Sequence, residues 1–313
     1  MRPLAAAGCA LALTGTIMHA PAATAAAPGA AEAQPAELPA VRVNGVELHY
    51  VQRGAGVPIV FVHGGLADYR ELAPVAEALP DGFLTVTYSR RHSFPNRNPP
   101  PRTDHTMIAE VDDLAALIET LGVGAVHVAG TSYGAYTALM LGLRRPDLVR
   151  SVTAAEPPIL HWLADIEGGQ AAHDHFNEAV MGPSAAAFAA GDPAGALAVA
   201  VEYFAGPNGM ETTPAEFRDM LLANLEDWRA ITTAPGVFPA VTRDEMAKIA
   251  VPVLIISGQK TAPVHRLVDP ELARILPAAT RIVIADGTHD MCAEQPAACA
   301  AAIRGFIGRQ EQR

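Results

Sequence analysis

Continuous apolar runs alternate along this chain with stretches of helical periodicity, and this alternation constrains the fold more than any other feature. The runs cover residues 59–62, 84–88, 126–129, 149–155, 253–257 and 281–284. Such runs are typical of strands that are buried on both faces of a sheet. Helical patterns lie between or after them, at residues 69–79, 107–121, 133–144, 271–276 and 295–307. The sequence therefore predicts an α/β fold in which crossover helices connect the strands of a parallel sheet.

Two further segments extend this organisation. Asn44-Gly45 suits a two-residue hairpin turn, and the alternating residues on both sides of it predict an antiparallel edge of the sheet. From residue 159 to 246 the alternation stops, and aromatic residues lie on mostly helical stretches. This segment predicts a helical cap that is inserted after the sixth strand and divides the core into residues 41–158 and 247–313. At 313 residues, one domain with an insertion is favoured over two domains.

The N-terminus has the pattern of an export signal. Arg2 supplies a positive start, residues 4–17 form an apolar segment, and residues 23–25 form a small-residue cleavage site. A membrane span needs ~20 apolar residues, so a cleaved signal peptide at residues 1–25 is favoured over a stable membrane anchor. Residues 26–40 carry almost no large apolar side chain, which predicts a flexible linker. We therefore expect a protein that is secreted or released into the periplasm.

The charge pattern excludes one class of partner. The formal net charge is -11, and no cluster of Lys and Arg exceeds two residues, whereas nucleic-acid binding needs a basic face. No Gly-x-Gly-x-x-Gly or Walker string stands in a suitable context, so we expect no bound cofactor. His173 and His175 flank Asp174, but a solvated helix face is favoured there over a metal site, and we expect no metal. The sequence does not constrain the oligomeric state.

Residues 130–134, Gly-Thr-Ser-Tyr-Gly, follow a strand-like run and precede a helical pattern. Strand, tight turn and helix are the context of a nucleophile elbow, in which a serine occupies a strained turn at the end of a strand. Small residues two before and two after the serine keep neighbouring backbone from colliding, and Gly130 and Gly134 occupy these positions. The segment therefore predicts Ser132 as a nucleophile rather than an ordinary glycine-rich turn.

Three segments resemble, in their order along the chain, the landmarks of the α/β-hydrolase family. They are Val62-His63-Gly64-Gly65, the elbow at residues 130–134, and Gly287-Thr288-His289-Asp290. The resemblance covers nearly all of residues 41–310. It implies the family fold, an eight-stranded mostly parallel sheet with a helical cap, and an active site at the carboxyl ends of the strands.

The resemblance also assigns roles to single residues. His289 would be the general base that takes the proton of Ser132, because neutral imidazole titrates near working pH. The backbone amides of Tyr133 and Gly65 would form the oxyanion hole, the pair of donors that stabilises the negatively charged intermediate. Leu66 is the neighbouring candidate for the second donor.

The acid of the triad departs from the usual family pattern. Many members carry an aspartate in a Gly-x-x-Asp string after the strand that follows the cap, whereas here Thr261 stands at that position. Glu156 ends an earlier strand at the same rim of the sheet, and it resembles the glutamate of the zearalenone lactonase branch. The order Ser132, Glu156, His289 agrees with the family order of nucleophile, acid and histidine. We predict Glu156 as the acid, with Asp269 as the alternative, and Asp286 or Asp290 as acids that could lie closer to the histidine.

These residues point to one reaction class. A serine at the elbow excludes mechanisms that need an aspartate nucleophile there, which leaves the acyl-enzyme route. Apolar and aromatic cap residues favour an uncharged substrate, so we predict a serine hydrolase that cleaves a small hydrophobic carboxylic ester or lactone. A carbon–carbon bond hydrolase and a cofactor-free perhydrolase are alternatives on the same scaffold. A binding protein that keeps the fold without turnover is the alternative from another class.

Two features stay open at the level of sequence. Cys292 and Cys299 favour a disulfide if the protein reaches an oxidising compartment, and two buried thiols are the alternative. Arg90-Arg91-His92 stands where many relatives carry a glycine-containing turn, and the sequence supplies no physical reason for it.

Overall fold

The computed structural model describes residues 38–99 and 105–312, so the predicted signal peptide and most of the linker lie outside the described residues. The described strands are β1 Ala40–Val43, β2 Val46–Gly54, β3 Gly56–Val62, β4 Gly82–Tyr88, β5 Val126–Thr131, β6 Val149–Ala155, β7 Val253–Gly258 and β8 Ala279–Ile284. The described α-helices are α1 Ala73–Glu77, α2 Met107–Leu121, α3 Ser132–Arg144, α4 Gly169–Phe176, α5 Gly182–Ala189, α6 Pro193–Ala205, α7 Gly209–Thr212, α8 Ala215–Ala223, α9 Leu225–Thr233, α10 Arg243–Met246, α11 Pro263–Ile275, α12 Met291–Glu294 and α13 Pro296–Gln310. None of the helices in this part of the chain combines the length and the apolarity of a membrane span.

The strands form one eight-stranded sheet in the order β1-β2-β4-β3-β5-β6-β7-β8. The pairs β1–β2 and β2–β4 are antiparallel, and the five remaining pairs are parallel. Asn44 and Gly45 both have positive φ, as the predicted two-residue hairpin turn requires. The predicted mostly parallel sheet is confirmed, and the carboxyl ends of its parallel strands lie along one rim.

Helices cover both faces of the sheet. In β3, Ile59 and Phe61 face away from Val60 and Val62, because side chains alternate between the two faces of a strand. The first pair packs in an apolar cluster with α1 and α13, and the second pair packs in a cluster with α2 and α3. Burial on both faces is the physical reason why this strand reads as a continuous apolar run.

The helices α4 to α10 form the segment between β6 and β7, which we call the cap. It also contains the 3-10 turn Leu160–Asp165 and the π-helical turn Asn177–Met181. Leu197 and Trp228 of the cap belong to the same buried cluster as residues of the sheet. The cap therefore shares the core of the protein instead of enclosing a core of its own.

Two predicted helices have other bounds than the sequence indicated. The helix predicted at 271–276 is longer in the structure and begins at Pro263. Pro270, just before the predicted start, lies inside this helix and does not interrupt it. Pro270 lacks an amide for the helix ladder, but buried Val268 and Leu272 pack this helix into the core. The helix predicted at 69–79 is shorter, because Asp68 Oδ1 accepts the amide of Arg70 at 3.0 Å and forms a local turn instead.

Candidate active site

The strand β5 turns directly into α3 at Ser132, whose φ of 48° lies in the left-handed region. A Cβ atom on Gly130 would overlap with the carbonyl oxygen of Gly134. A Cβ atom on Gly134 would overlap with the carbonyl oxygen of Val62 at the end of β3. The backbone of the elbow therefore leaves room only for glycine at the two positions that the sequence singled out.

Glu156 follows the last residue of β6, with a φ of 53° and a fully buried side chain. Its Oε2 lies 2.7 Å from Nδ1 of His289 and accepts the hydroxyl of Thr261 at 2.6 Å. Its Oε1 accepts the amide of Gly258 at 2.7 Å. Thr261, which stands where many relatives carry the acid, thus orients the carboxylate that contacts the histidine.

The charges of this pair stabilise one another. Burial alone would raise the pKa of Glu156, but the hydrogen bond with His289 and the charge of His289 hold that pKa below its ordinary value. Burial alone would lower the pKa of His289, but the hydrogen bond and the charge of Glu156 raise it above 6.5. The pair can therefore accept a proton on the histidine while the carboxylate stays ionised.

Asp269, the alternative acid, lies elsewhere. It is fully buried in α11, and its Oδ2 accepts the hydroxyl of Ser257 at 2.6 Å. Burial and the negative charge of Glu156 raise the pKa of Asp269 well above its ordinary value, which favours the neutral acid. Among the described residues, no hydrogen bond joins Asp269 to His289.

Ser132 and His289 line the same inner cavity of about 90 Å³. Their side chains make no direct hydrogen bond in this structure, and such contacts often tighten only when substrate binds. Cap residues close the cavity with apolar walls, and these are Ala200, Val201, Phe204, Ala205, Phe217, Leu221 and Trp228. An outer cavity of about 730 Å³ shares His289, Phe204 and Ala205 with the inner one.

Backbone amides surround the cavity beside the nucleophile. Gly65 lines the cavity, and Tyr133 is in the first turn of α3, where amides lack helical partners. A Cβ atom on Gly65 would lie 2.8 Å from Ile231 Cδ1, so the end of that side chain would have to shift to admit a larger residue. The neighbouring candidate Leu66 is a poor donor to substrate, because its amide already donates to Oδ2 of Asp227 at 2.8 Å.

Two aromatic rings enclose His289, and the sequence indicated neither. His265 of α11 stacks on it at 4.4 Å between ring centroids with an interplanar angle of 13°, and Phe204 of the cap stacks at 5.0 Å and 23°. Burial and the nearby His289 lower the pKa of His265 to about 3, so this ring is neutral. Ligand atoms of Glu156, His265 and His289 lie within 4.8 Å of one another. The rings of His265 and His289 are nearly parallel, so their nitrogen lone pairs do not converge on one point. This arrangement suits packing of the rings better than chelation of a metal ion.

A buried cluster around Arg90 packs against the elbow residue Tyr133 and gives Arg90 of the Arg90-Arg91-His92 string its physical reason. Arg90 donates to Glu110 Oε2 at 2.6 Å, to Asp227 Oδ2 at 2.8 Å and to the carbonyl oxygen of Gly64 at 2.9 Å. Its guanidinium carbon lies 4.3 Å from the centroid of the Tyr133 ring. Arg90 thus joins the cap, α2 and both backbone segments of the predicted oxyanion hole.

Two acids also line the inner cavity: Asp290, which the sequence offered as a neighbour of the histidine, and Glu71, which sequence reasoning missed. Glu71 Oε2 accepts the amide of Gly64 at 2.7 Å and the hydroxyl of Thr131 at 2.9 Å. No sequence pattern marks Glu71, because its partners belong to β5 and to the end of β3. A disulfide joins Cys292 to Cys299 just beyond these residues, as predicted.

Comparisons with known proteins agree with this architecture. The family model described as the alpha/beta hydrolase fold matches residues 57–296. The chain is 26% identical over 275 residues to 2-(acetamidomethylene)succinate hydrolase of Mesorhizobium japonicum, covering 85% of this chain and 94% of that protein.

Two solved structures are similar in fold. The enol-lactonase from Burkholderia xenovorans LB400 has a TM-score of 0.71 and 22% identity over 86% of this chain and 100% of that chain. A thermophilic esterase from Thermogutta terrifontis has a TM-score of 0.62 and 21% identity over 89% of this chain and 99% of that chain. The family match extends over most of the chain and includes the elbow, so this chain is a hydrolase that belongs to the alpha/beta hydrolase family.

Proposed function

We propose that the protein hydrolyses a hydrophobic carboxylic ester or lactone through an acyl-enzyme on Ser132. The observation that carries this proposal is the 2.7 Å contact between Glu156 Oε2 and His289 Nδ1 beside the strained serine. A buried carboxylate on one ring nitrogen fixes the tautomer that leaves the other nitrogen as a base. The roles of nucleophile, base and acid therefore fall to Ser132, His289 and Glu156.

The proposed reaction has two steps. Ser132 Oγ attacks the carbonyl carbon while His289 takes its proton, and the amides of Gly65 and Tyr133 stabilise the negative charge on the former carbonyl oxygen. The bond to the leaving oxygen then breaks, and that oxygen takes the proton from His289. Water, activated by the same histidine, attacks the acyl-enzyme and releases the acid. Glu156 stabilises the imidazolium in both steps.

The cavity and the relatives support this substrate class. Apolar cap side chains form most of the wall near Ser132, which favours a hydrophobic group. The similar structures include an enol-lactonase and an esterase. The hydrolase of Mesorhizobium japonicum is named for a substituted succinate, which is a substrate of that protein.

Labelling with a fluorophosphonate probe tests the nucleophile. We expect one probe per chain in the folded protein, attached at Ser132, and no labelling in Ser132→Ala. A panel of p-nitrophenyl esters and simple lactones then tests the bond that is cleaved. Folded protein that neither labels nor turns over any of these compounds would contradict the proposal and favour a binding protein with the hydrolase fold.

We also propose that the protein is exported, on the strength of its N-terminal residue pattern. A disulfide between Cys292 and Cys299 suits an oxidising compartment. Mass spectrometry of the mature N-terminus tests this directly, and we expect cleavage near residue 25. An intact N-terminus in protein isolated from the cytoplasm would contradict it.

A further inference from the structure

Only one of the two carboxyl oxygens of Glu71 accepts hydrogen bonds from described residues. Oε2 accepts hydrogen bonds from the Gly64 amide and the Thr131 hydroxyl. These two donors belong to the loop that carries Gly65 and to the residue before Ser132, so they fix the orientation of the carboxyl group. In the described part of the chain, no residue donates a hydrogen bond to Oε1, and Glu71 is only partly buried.

The available oxygen borders the reaction centre. A Cβ atom on Gly64 would lie 3.2 Å from Glu71 Oε1 and 3.4 Å from Ser132 Cβ, so both groups border the same small space. Glu71 and Ser132 also line the inner cavity together. A group attached to the Ser132 oxygen therefore lies within reach of Oε1.

Most of the ionisable side chains that line the inner cavity are acids. Of the described residues that line it, the titratable ones are Glu71, His289 and Asp290, and none is Lys or Arg. The nearby cation Arg90 is already paired with Glu110 and Asp227. A carboxylate in this cavity would meet like charges, with no Lys or Arg among these lining residues to offset them.

The acyl part of a substrate occupies this cavity during the proposed reaction. The acyl group stays bonded to Ser132 after the first step, whereas the leaving group receives a proton from His289. His289 also lines the outer cavity of about 730 Å³, which gives the leaving group its own space. The polar groups of the inner cavity therefore act on the acyl chain.

We propose that Glu71 sets the specificity of the acyl site. Its Oε1 accepts a hydrogen bond from a hydroxyl or amide N–H on the acyl chain, and it disfavours acyl chains that carry a carboxylate. The inference rests on the proposed acyl-enzyme function and names its substrate class, an ester or lactone whose acyl part is uncharged and carries a hydrogen-bond donor.

The charge on Glu71 makes this selectivity depend on pH. Burial raises the pKa of Glu71 to about 7, Asp290 also raises it, and the bonds from Gly64 and Thr131 with the charge of His289 oppose the rise. Glu71 therefore gains its negative charge as the pH rises through about 7. His289, whose pKa is raised, also loses positive charge as the pH rises, so part of the pH dependence belongs to it.

Two esters of nearly equal shape test the proposal: methyl succinamate, which ends in an amide, and monomethyl succinate, which ends in a carboxylate. We expect kcat/KM to favour the amide at least tenfold at pH 8 and less strongly at pH 6. In Glu71→Gln the preference at pH 8 should fall to threefold or less, and the pH dependence that remains is that of His289. Glu178→Gln, which changes an exposed cap carboxylate, should keep the wild-type ratio.

Calorimetry with Ser132→Ala compares the binding of the two esters without turnover. The same measurement is made with the double variant that carries Ser132→Ala and Glu71→Gln. Equal affinity of Ser132→Ala for the two esters at pH 8, or a preference that Glu71→Gln leaves unchanged, would overturn the assignment of Glu71. Failure of the proposed function has a different signature, since Ser132 would then fail to react with a fluorophosphonate whatever the ester preference.

Discussion

Two buried charge clusters lie near the elbow, and they differ in the kind of cation that they contain. Glu156 pairs with His289, whose proton can come and go near neutral pH. Glu110 and Asp227 pair with Arg90, and burial alone would lower the pKa of Arg90, but these carboxylates hold it above its ordinary value. The Glu156–His289 cluster can change charge during a reaction, whereas Arg90 in the second cluster keeps its charge and fixes positions.

The two clusters have different roles in one site: one holds the backbone in place, and the other takes part in the proposed reaction. The Arg90 cluster holds the Gly64 carbonyl oxygen and packs on the Tyr133 ring, so it supports the segments that carry both proposed backbone donors. The Glu156 cluster contacts the proposed base directly. Changes in the Arg90 cluster should act on the fold, and changes in the Glu156 cluster should act on turnover.

The largest effect is expected from Glu156→Gln. An amide cannot stabilise the imidazolium or hold the required tautomer, and neutralising a triad carboxylate lowers kcat by about 10⁴-fold. We expect a loss of this order in ester hydrolysis, with a urea unfolding midpoint close to that of the wild type. A variant that retains a tenth of the wild-type kcat would show that Glu156 is not the acid.

The next effect is expected from Arg90→Met, which leaves two buried carboxylates without their cation. Removing one partner of a buried ion pair costs about 3–5 kcal/mol, and urea unfolding should show a loss of this size. Arg144→Met is the matched control, because Arg144 forms an exposed pair with Asp112 at 3.8 Å and should change stability little. Equal stability of the two variants would refute a structural role for the Arg90 cluster.

The loss of activity at low pH tests whether His289 of the Glu156–His289 cluster gains a proton as expected. Glu156 raises the pKa of His289 above 6.5, and only the neutral ring can act as a base. Activity should therefore fall about tenfold per pH unit below a midpoint that lies above 6.5, measured as kcat/KM for a neutral ester. A midpoint well below 6.5 would mean that the carboxylate does not stabilise the imidazolium.

The smallest effect is expected from Asp269→Asn. Burial and the charge of Glu156 raise the pKa of Asp269 well above its ordinary value, which favours the neutral acid, and the amide of similar shape is also neutral. We expect kcat within threefold of the wild type and a change in unfolding free energy below about 1 kcal/mol. A loss of turnover as large as that of Glu156→Gln, in folded protein, would assign the triad acid to Asp269 instead.

The geometry around the elbow could be read from the sequence because its requirements are local. Gly130 and Gly134 are dictated by a backbone turn only five residues long, and the parallel strands by apolar runs of four to seven residues. Helix bounds were harder to predict, since Pro270 is tolerated inside α11 only because that helix packs on the core. Predictions from neighbouring residues do not include the energy that α11 gains by packing on the core.

The sequence by itself determined the fold class, the elbow at Ser132 and the candidates Glu156 and His289, because each follows a strand whose end must lie at the same rim of a parallel sheet. Only the tertiary structure decided which groups surround them. Arg90 meets Asp227 across 137 positions of sequence, and Glu71 meets Thr131 across 60. Contacts between distant segments depend on how the cap and the loops pack, and no periodicity or short motif encodes them.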